Sequence, residues 1–326
     1  MPRVIVPKAF RRRVGASAAA VDMSVHVGAV ALPNPVMPAS GTYGNCTEFT
    51  GYGAYDALGA VVIKSLSENP WAGNKGPNMA PLSSGLMLNA VGLKNPGASA
   101  WVRDQFPPLR ATGARIVVSI WGFSQDDYAA VANIVANAVD QSVVAIEVNL
   151  SCPNLHDPRH IIALDEKLTE TVVRRVVAEA GPRPVWAKLS PNAPDIPAIA
   201  SAAQRGGASA VTLVNTLSGF DIDIESGRPA VGNVYGGVSG PLLLPVALRA
   251  VHQVYRECPG LPIVGVGGIS CGEDAAKMLM AGASALQVGT ANFADPHATH
   301  RVLDELRSWC ATHGTTPAQL TGRSHA

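Results

Sequence analysis

Short runs of apolar, mostly β-branched residues recur along the chain, and each is separated from the next by enough residues for a crossover helix. After a hairpin at 25–32, the pattern predicts strands at 36–40, 60–65, 115–120, 143–149, 184–189, 210–215, 262–266 and 285–288. Strands joined by long crossovers form parallel sheets, because parallel neighbours cannot be linked by a tight turn. The sequence therefore predicts an α/β protein built from eight βα steps.

Three of the intervening segments have helical patterns. Apolar residues recur with helical spacing in 125–139, residues 164–180 carry Glu and Arg on a polar face, and 271–281 opens with acidic residues. Eight repeats of one unit favour closure into a (β/α)8 TIM barrel, although the pattern also allows an open doubly wound sheet.

The chain length suits one such barrel. With 326 residues and no linker-like segment, we predict a single domain at 24–326, preceded by a flexible extension at 1–23 that carries three consecutive arginines. The alternative for this extension is a tail that contacts a partner or directs targeting. The stretches 66–114 and 216–245 are too long for simple βα loops, and loops of that length are commonly lids or insertions.

Polar residues and glycines close the predicted strands. Active sites of (β/α)8 barrels lie at the C-terminal ends of the strands, so these residues would meet at one mouth. Buried lysines and amides need partners, which predicts a bound polar ligand; ion pairs with acids inside the barrel are the alternative. In chain order the strands end in Ser40, Lys64 with Ser65, Ser119, Asn149, Lys188, Asn215 with Thr216, Gly267 with Gly268, and Gly289 with Thr290.

The last two strands end in glycine, within the segments VGVGGIS and LQVGTA. Glycine lets backbone N–H groups approach an anion closely, and the last two βα loops often hold a phosphate in such barrels. We therefore predict a phosphate site at Gly267, Gly268, Gly289 and Thr290, although close packing can also demand glycine.

The fourth strand runs into EVNLSCPN, which places Cys152 on a loop at the predicted mouth. A thiol there can act as a base toward a carbon acid or attack as a nucleophile. We interpret His156 and His160, in the same loop, as surface residues. The remaining thiols are predicted to be inert packing residues: Cys46, Cys258, Cys271 and Cys310.

Charge and cysteine usage exclude several classes of protein. The 25 basic and 24 acidic side chains give a net charge of +1, so there is no global attraction to nucleic acid or to an anionic membrane. No run reaches the roughly 18 apolar residues of a membrane span. The cysteines show no CxxC pair and no spacing typical of a metal site, which predicts reduced thiols, a cytoplasmic protein and no metal centre.

Nine blocks of sequence follow one another between residues 24 and 310: PVMPASGTYG, VIKS, GLMLNAVGLKNPG, EVNLSCPN, VWAKLSP, LVNT, GGVSGP, VGVGGIS and LQVGTANF. In this order they resemble class 1 dihydroorotate dehydrogenases, and most closely their class 1B branch. Each block alone is modest support, but their common order makes the resemblance highly specific.

The resemblance implies an FMN site and a substrate site at the C-terminal face of the barrel. FMN would be held by Ser40, Lys64, Ser65, Ser119, Asn149, Lys188, Val214, Gly240, Gly267, Gly268, Gly289 and Thr290, with its phosphate on the last five. Dihydroorotate or orotate would meet Lys64, Asn89, Ala90, Val91, Gly92, Leu93, Asn149, Asn154, Asn215 and Thr216. Amides suit a pyrimidine ring because they both donate and accept hydrogen bonds.

The resemblance also implies catalytic roles for Cys152, Lys64 and Lys188. Cys152 would take the proton from C5 of (S)-dihydroorotate while C6 delivers a hydride to N5 of FMN, and Lys188 would stabilise the negative charge of the reduced flavin. Lys64 would contact both flavin and substrate. The product, orotate, belongs to the de novo synthesis of UMP.

The class 1B resemblance, strongest in GRPAVGNVYGGVSGPLLLPVALRAV, implies a homodimeric core and a partner subunit that carries FAD and a [2Fe-2S] cluster and passes electrons to NAD. Class 2 relatives have Ser where this chain has Cys152, and they carry a membrane-associating extension that we do not expect here. The alternatives are a fumarate-dependent class 1A enzyme, another FMN-dependent dihydropyrimidine oxidoreductase, a non-catalytic FMN-binding partner protein, and a flavin-free phosphate-binding lyase or isomerase.

Two segments depart from the family pattern. The usual PRxGNxxPR reads PWAGNKGPN, so Trp71 and Asn78 replace two arginines near the substrate loop, which bears on closure of that loop and on rate. The stretch LHDPRHIIAL, after the cysteine, lacks the usual glycine, which bears on lid movement.

Overall fold

The computed structural model describes residues 20–151 and 162–326. At its centre, eight parallel strands form one sheet in which each strand lies beside its neighbours in sequence. Gly59 N donates to Val36 O at 2.9 Å, which joins the first strand to the second and closes the sheet. The predicted (β/α)8 barrel is confirmed. Its strands are Val36–Pro38, Val61–Val62, Ile116–Ile120, Val143–Asn149, Val185–Lys188, Ala210–Leu213, Ile263–Val266 and Ala285–Val288.

Helices surround this barrel, and side-chain caps fix where several of them begin. Ser124 Oγ accepts from Asp127 N at 3.2 Å, and Asp165 Oδ1 accepts from Leu168 N at 2.8 Å, each satisfying an amide that has no partner inside its helix. The three predicted helices are present. The described helices are Ala98–Asp104, Phe106–Arg110, Gln125–Ala138, Glu166–Glu179, Ile196–Arg205, Leu244–Glu257, Gly272–Met280, Ala291–Ala294, Ala298–His313 and Pro317–Leu320.

The first crossover differs from the expected βα step. Residues 39–60 contain two single turns of 3-10 helix, Thr50–Tyr52 and Tyr55–Ala57, and no α-helix. Five glycines in this segment disfavour a helix. The ring of Tyr43 instead stacks on Phe49, with centroids 4.3 Å apart, and Tyr43 itself is buried. Aromatic side chains thus cover the barrel wall where a helix was expected.

The two long stretches contain insertions that build a second sheet. Strands Met79–Pro81 and Met87–Asn89 come from the first stretch, and Leu217–Gly219 and Gly236–Ser239 from the second; all four pair antiparallel. A short ribbon pairs Ile222–Asp223 with Arg228–Pro229. The predicted insertions are confirmed, and a lid function stays a prediction.

The barrel interior has an apolar floor. The predicted hairpin is present, and its turn residue Gly28 lies beside Ser209 and Pro262, which precede the sixth and seventh strands. The hairpin therefore plugs the end opposite the mouth, and the barrel is a filled core and not a pore. The floor cluster contains Val25, Val27, Val30, Leu32, Met37, Ala60, Val62, Val117, Ala145, Trp186, Ala210, Val264 and Ala285.

The predicted domain boundaries stay a prediction, because most of the extension at 1–23 lies outside the described residues. At the other end, Thr321 Oγ1 donates to Ala283 O at 3.0 Å and Gly322 N donates to Leu279 O at 3.0 Å, so the chain end is tied to the barrel's outer layer. Among the described helices, none has both the length and the apolar character that crossing a membrane requires.

The floor cluster predicts a large stability effect for Trp186, whose side chain is fully buried. We expect Trp186→Ala to lower the free energy of unfolding by about 3–5 kcal/mol, because removing a buried aromatic side chain leaves a cavity. Urea-induced unfolding monitored by circular dichroism measures this. Trp309→Ala, at a half-buried position, is the matched control and should cost clearly less. Equal losses in both variants would contradict the proposed role of the floor.

Candidate active site

Polar side chains from the first four barrel strands form one connected row at the mouth. Ser65 Oγ lies 3.4 Å from Ser40 Oγ and 2.9 Å from Ser119 Oγ, and it accepts from Asn149 Nδ2 at 3.2 Å. Ser65, Ser119 and Asn149 are buried. The structure therefore brings together four residues that the sequence placed in the flavin site.

A second group of amides continues this row toward the sixth strand. Asn215 Nδ2 donates to Ser151 Oγ at 2.9 Å, and Ser151 Oγ donates to Asn149 Oδ1 at 3.2 Å. Asn215 Oδ1 accepts from Thr216 N at 2.9 Å. Three predicted substrate residues, Asn149, Asn215 and Thr216, thus lie in one network. Ser151 completes it, although sequence reasoning did not single it out.

The inserted sheet brings the predicted substrate segment, residues 89–93, to the same place. Asn89 Nδ2 donates to Gly237 O at 3.1 Å, and a Cβ at Gly237 would overlap the hydroxyl of Thr216. Asn89 therefore lies beside Thr216, although the two are distant in sequence. Within the segment, Ala90 and Val91 are held through their carbonyls, which accept from Asn74 Nδ2 and Asn74 N, each at 3.0 Å. Gly92 and Leu93 follow in left-handed backbone conformations, with φ of 71° and 60°.

Trp71 anchors this segment at a position where the family resemblance led us to expect an arginine. Its Nε1 donates to Gly92 O at 2.8 Å, and its ring packs edge-on against Phe123 and Trp121, with centroids 5.1 Å and 6.4 Å away. Asn78 O accepts a backbone amide of the same segment at 2.8 Å. The loop is therefore held without the two expected arginines. Trp71 contributes aromatic packing and one hydrogen bond, and Asn78 contributes its backbone carbonyl.

Glycines shape the predicted phosphate site. Gly240, Gly267 and Gly268 have φ of 116°, 126° and 75°, and a Cβ at Gly268 would overlap the backbone of Leu244. Close packing therefore demands glycine there, and it places the start of helix Leu244–Glu257 against the loop after the seventh strand.

Gly289 differs from the other glycines of the predicted phosphate site. A Cβ at Gly289 would lie 3.6 Å from Ala39 Cβ, an ordinary contact, so packing does not require glycine there. Thr290 follows at the end of the eighth strand, which pairs directly with the seventh. The two glycine-rich loops are thus neighbours, as a shared phosphate site requires, and Gly289 favours the ligand interpretation over the packing one.

The two predicted lysines have different surroundings. Lys188 is buried at the end of the fifth strand, and its Nζ lies 3.7 Å from Glu147 Oε1. The alternative of an ion pair inside the barrel thus applies to Lys188. Lys64 is half-buried and lies just after the second strand.

Val214, another residue predicted for the flavin site, lies at the mouth. Its backbone N donates to Val266 O at 2.8 Å, which fixes it beside the end of the seventh strand.

Sequence reasoning missed three buried residues beneath the mouth. Glu147 Oε2 accepts from Gln287 Nε2 at 2.7 Å and from Thr212 Oγ1 at 3.0 Å, and all three residues are fully buried. The available signal was a charged residue within the apolar strand VVAIEVN, two positions before Asn149 and therefore on the same strand face.

Cys152 and Asn154 lie outside the described residues. Of the other thiols, Cys258 and Cys310 are buried, and no disulfide joins the cysteines that the structure describes. Burial raises the pKa of Cys310 to about 11 and also raises the pKa of Cys258 and Cys271. These three groups stay protonated near neutral pH, which agrees with their predicted role as inert packing residues.

The residues at the mouth fit a flavin mononucleotide. Its phosphate needs closely approaching N–H groups, which the glycine loops of the seventh and eighth strands can offer, and its ring edge needs donors and acceptors. Ser119, Asn149 and Lys188 supply such groups in buried positions. The donor set therefore suits FMN, although it does not by itself single out this cofactor.

Known proteins resemble this chain over nearly its whole length. A family model described as dihydroorotate dehydrogenase matches residues 22–309. The chain belongs to the dihydroorotate dehydrogenase family. Relatives named "Dihydroorotate dehydrogenase B (NAD(+)), catalytic subunit" come from Solidesulfovibrio magneticus and Geobacter sulfurreducens, each 42% identical over 90% of this chain, and from Alkaliphilus metalliredigens, 43% identical over 89%. The alignments cover 95%, 94% and 94% of these relatives, and the resemblance to class 1B is confirmed.

The Trp71 contacts predict how firmly residues 89–93 are held. We expect Trp71→Ala to raise amide hydrogen exchange in this segment by more than about fivefold, because it loses the ring contacts together with one hydrogen bond, and the hydrogen bond alone is worth about 1 kcal/mol. Mass spectrometry of peptides that span 86–96 measures the rate. Trp71→Phe keeps the ring contacts but loses the Nε1 donor, so its effect should be smaller than that of the alanine variant. Unchanged exchange in both variants would show that Trp71 does not hold the segment.

Proposed function

We propose that this chain oxidises (S)-dihydroorotate to orotate in the synthesis of UMP, as the FMN-binding catalytic subunit of a type B enzyme. The observation that carries the proposal is the buried polar mouth of the barrel, where Asn149, Lys188 and Asn215 meet, in a chain of the dihydroorotate dehydrogenase family. A flavin enzyme follows from the family, and we propose that the flavin is FMN, whose phosphate the glycine loops can hold.

FMN, when bound, supplies the acceptor for the hydride. The serine row would bind and orient it, with Ser40, Ser65 and Ser119 as donors or acceptors and Lys188 as the cation. Stabilising negative charge that develops during a reaction requires a charge fixed beforehand, and Lys188 is held in the barrel wall. The remaining residues proposed for the cofactor are Lys64, Asn149, Val214, Gly240, Gly267, Gly268, Gly289 and Thr290.

The amide network would bind the substrate. Asn89, Asn149 and Asn215 each offer a donor and an acceptor, which matches the alternating N–H and C=O groups of a dihydropyrimidine ring. Thr216 and residues 90–93 lie beside them, and Lys64 can pair with the substrate carboxylate. Asn154, two residues after the proposed base in sequence, is proposed for the same substrate site.

Cys152 is proposed as the base that removes the proton from C5. It directly follows Ser151 in sequence, and Ser151 belongs to the amide network that is proposed to hold the substrate. Ala163 N donates to Leu150 O at 3.0 Å, so the described residues on either side of segment 152–161 meet at one point of the mouth. A base at this point can act on a substrate held by Asn149 and Asn215.

Electrons are proposed to leave through a partner subunit. The relatives are named catalytic subunits of NAD(+)-dependent enzymes, and such a subunit implies a second one. We propose that the partner carries FAD and a [2Fe-2S] cluster, that the catalytic chain forms a homodimer, and that the assembly is cytoplasmic. Fumarate reduction by a class 1A enzyme is the alternative for the oxidative half-reaction.

The visible spectrum of the purified chain tests this function. We expect flavin bands that bleach when dihydroorotate is added anaerobically, because the substrate and flavin sites share one mouth. Fumarate and NAD are then added separately as oxidants. Slow recovery with both indicates a missing electron-transfer subunit, and rapid recovery with fumarate moves the chain to class 1A. A flavin that dihydroorotate never bleaches would refute the proposed substrate, and a colourless chain that does not take up FMN would refute the flavin function.

The proposed base gives a separate prediction. Cys152→Ala should retain FMN but lose at least about 99% of the rate of flavin reduction by dihydroorotate at neutral pH, because general-base catalysis contributes about 10²–10⁴-fold. Anaerobic stopped-flow absorbance measures the rate. Cys258→Ala removes a thiol that lies between helix Leu244–Glu257 and the start of the seventh strand, at the end of the barrel opposite the mouth; it is the control and should reduce normally. A wild-type rate in Cys152→Ala would refute the role of the base.

A further inference from the structure

A hydrogen-bonded carboxylate lies at the centre of the barrel, directly below the proposed flavin site. Glu147 belongs to the fourth strand and Gln287 to the eighth, and these strands lie on opposite sides of the closed sheet. Their 2.7 Å hydrogen bond therefore crosses the interior, and Thr212 from the sixth strand adds a second donor to the same oxygen. The Glu147 carboxylate is thus fixed from two directions.

The second carboxylate oxygen is held in a different way. Glu147 Oε1 accepts no hydrogen bond in the part of the chain that the structure describes, and the Lys188 ammonium lies 3.7 Å away. A fully buried carboxylate needs compensation, which Lys188 can give as a charge across this gap. The Thr212 and Gln287 donors leave Oε1 aimed at the ammonium.

The strand register places this pair relative to the mouth. Lys188 lies opposite Asn149 on the neighbouring strand, so the ammonium's residue is level with the amide network. Glu147 is two residues earlier on the same strand face, one layer deeper in the barrel. Glu147 therefore lies one layer below Lys188, on the side away from the mouth.

We propose that Glu147 is a positioning residue that anchors the Lys188 ammonium and sets how strongly this cation favours the reduced flavin. The inference rests on the proposed function. With the carboxylate in place, the ammonium is drawn toward the barrel interior and its charge is partly offset. Without it, the ammonium is free to move toward the mouth, and its full charge favours the negatively charged reduced cofactor.

The midpoint potential of the bound flavin tests this, because it is measured by reductive titration without any substrate. Glu147→Gln should bind the reduced flavin about tenfold more tightly relative to the oxidised flavin, which raises the potential of a two-electron couple by about 30 mV. Thr212→Val, the matched control, removes one neutral donor to the carboxylate and keeps the charge. In this variant, the affinity for reduced flavin relative to oxidised flavin should change less than about threefold, since Gln287 still donates to Glu147 Oε2. A tenfold change in this control, or a potential in Glu147→Gln that equals or falls below the wild type, overturns the proposal.

A double-mutant comparison separates positioning from a direct field. In a Lys188→Met background, Glu147→Gln should change the relative affinity less than about threefold, because the group through which it acts is gone. A tenfold rise in that background would show that Glu147 acts on the flavin by itself and would overturn the proposal.

A second substitution covers a failure to fold. If Glu147→Gln does not fold, Glu147→Asp carries the test, since its shorter side chain weakens the contact with Lys188. We expect a rise of about threefold in relative affinity, and an unchanged potential overturns the proposal. If the wild-type chain binds flavin and dihydroorotate bleaches that flavin, the proposed function stands whatever the Glu147 variants show. A wild-type chain that binds no flavin overturns both the proposed function and the role of Glu147.

Discussion

Closure of eight parallel strands around a filled interior is the constraint on which the rest of the molecule depends. Alternate residues of every strand must point inward, and a barrel of eight strands is only wide enough for side chains. The hairpin residues Val25 and Leu32 cover one end, and Trp186 fills the space above them. Polar groups are therefore concentrated at the other end, where the strands finish and a ligand can satisfy them.

The polar layer between floor and mouth gives this barrel its electrostatic character. An apolar interior would leave Lys188 without a counter-charge, and a lone carboxylate would be costly to bury. The contacts of Glu147 with Thr212 and Gln287 compensate one oxygen with neutral donors and leave the other for the lysine. The arrangement that makes the buried charge tolerable is the one that we propose adjusts the Lys188 cation toward the flavin.

The two insertions add specificity to a common scaffold. Their four-stranded sheet carries Asn89 to Thr216, and the Trp71 ring with Phe123 fixes the segment that follows. At position 71, Trp71 stands in place of the expected arginine, and its aromatic packing keeps the substrate loop attached. Family membership thus coexists with a locally different solution for holding the substrate loop.

The sequence by itself determined the alternation of strands and helices, the polar strand ends and the family, because alternation of apolar runs with helical patterns is a local property and because the motifs are contiguous. It also predicted that Lys188, Asn149 and the glycine loops lie at one mouth, since parallel strands end at the same edge. It did not determine the first crossover, where five glycines and the stack of Tyr43 on Phe49 replace a helix. Only the tertiary structure decided that Glu147 meets Gln287 and Lys188, because strands far apart in sequence become neighbours across the interior only when the barrel closes.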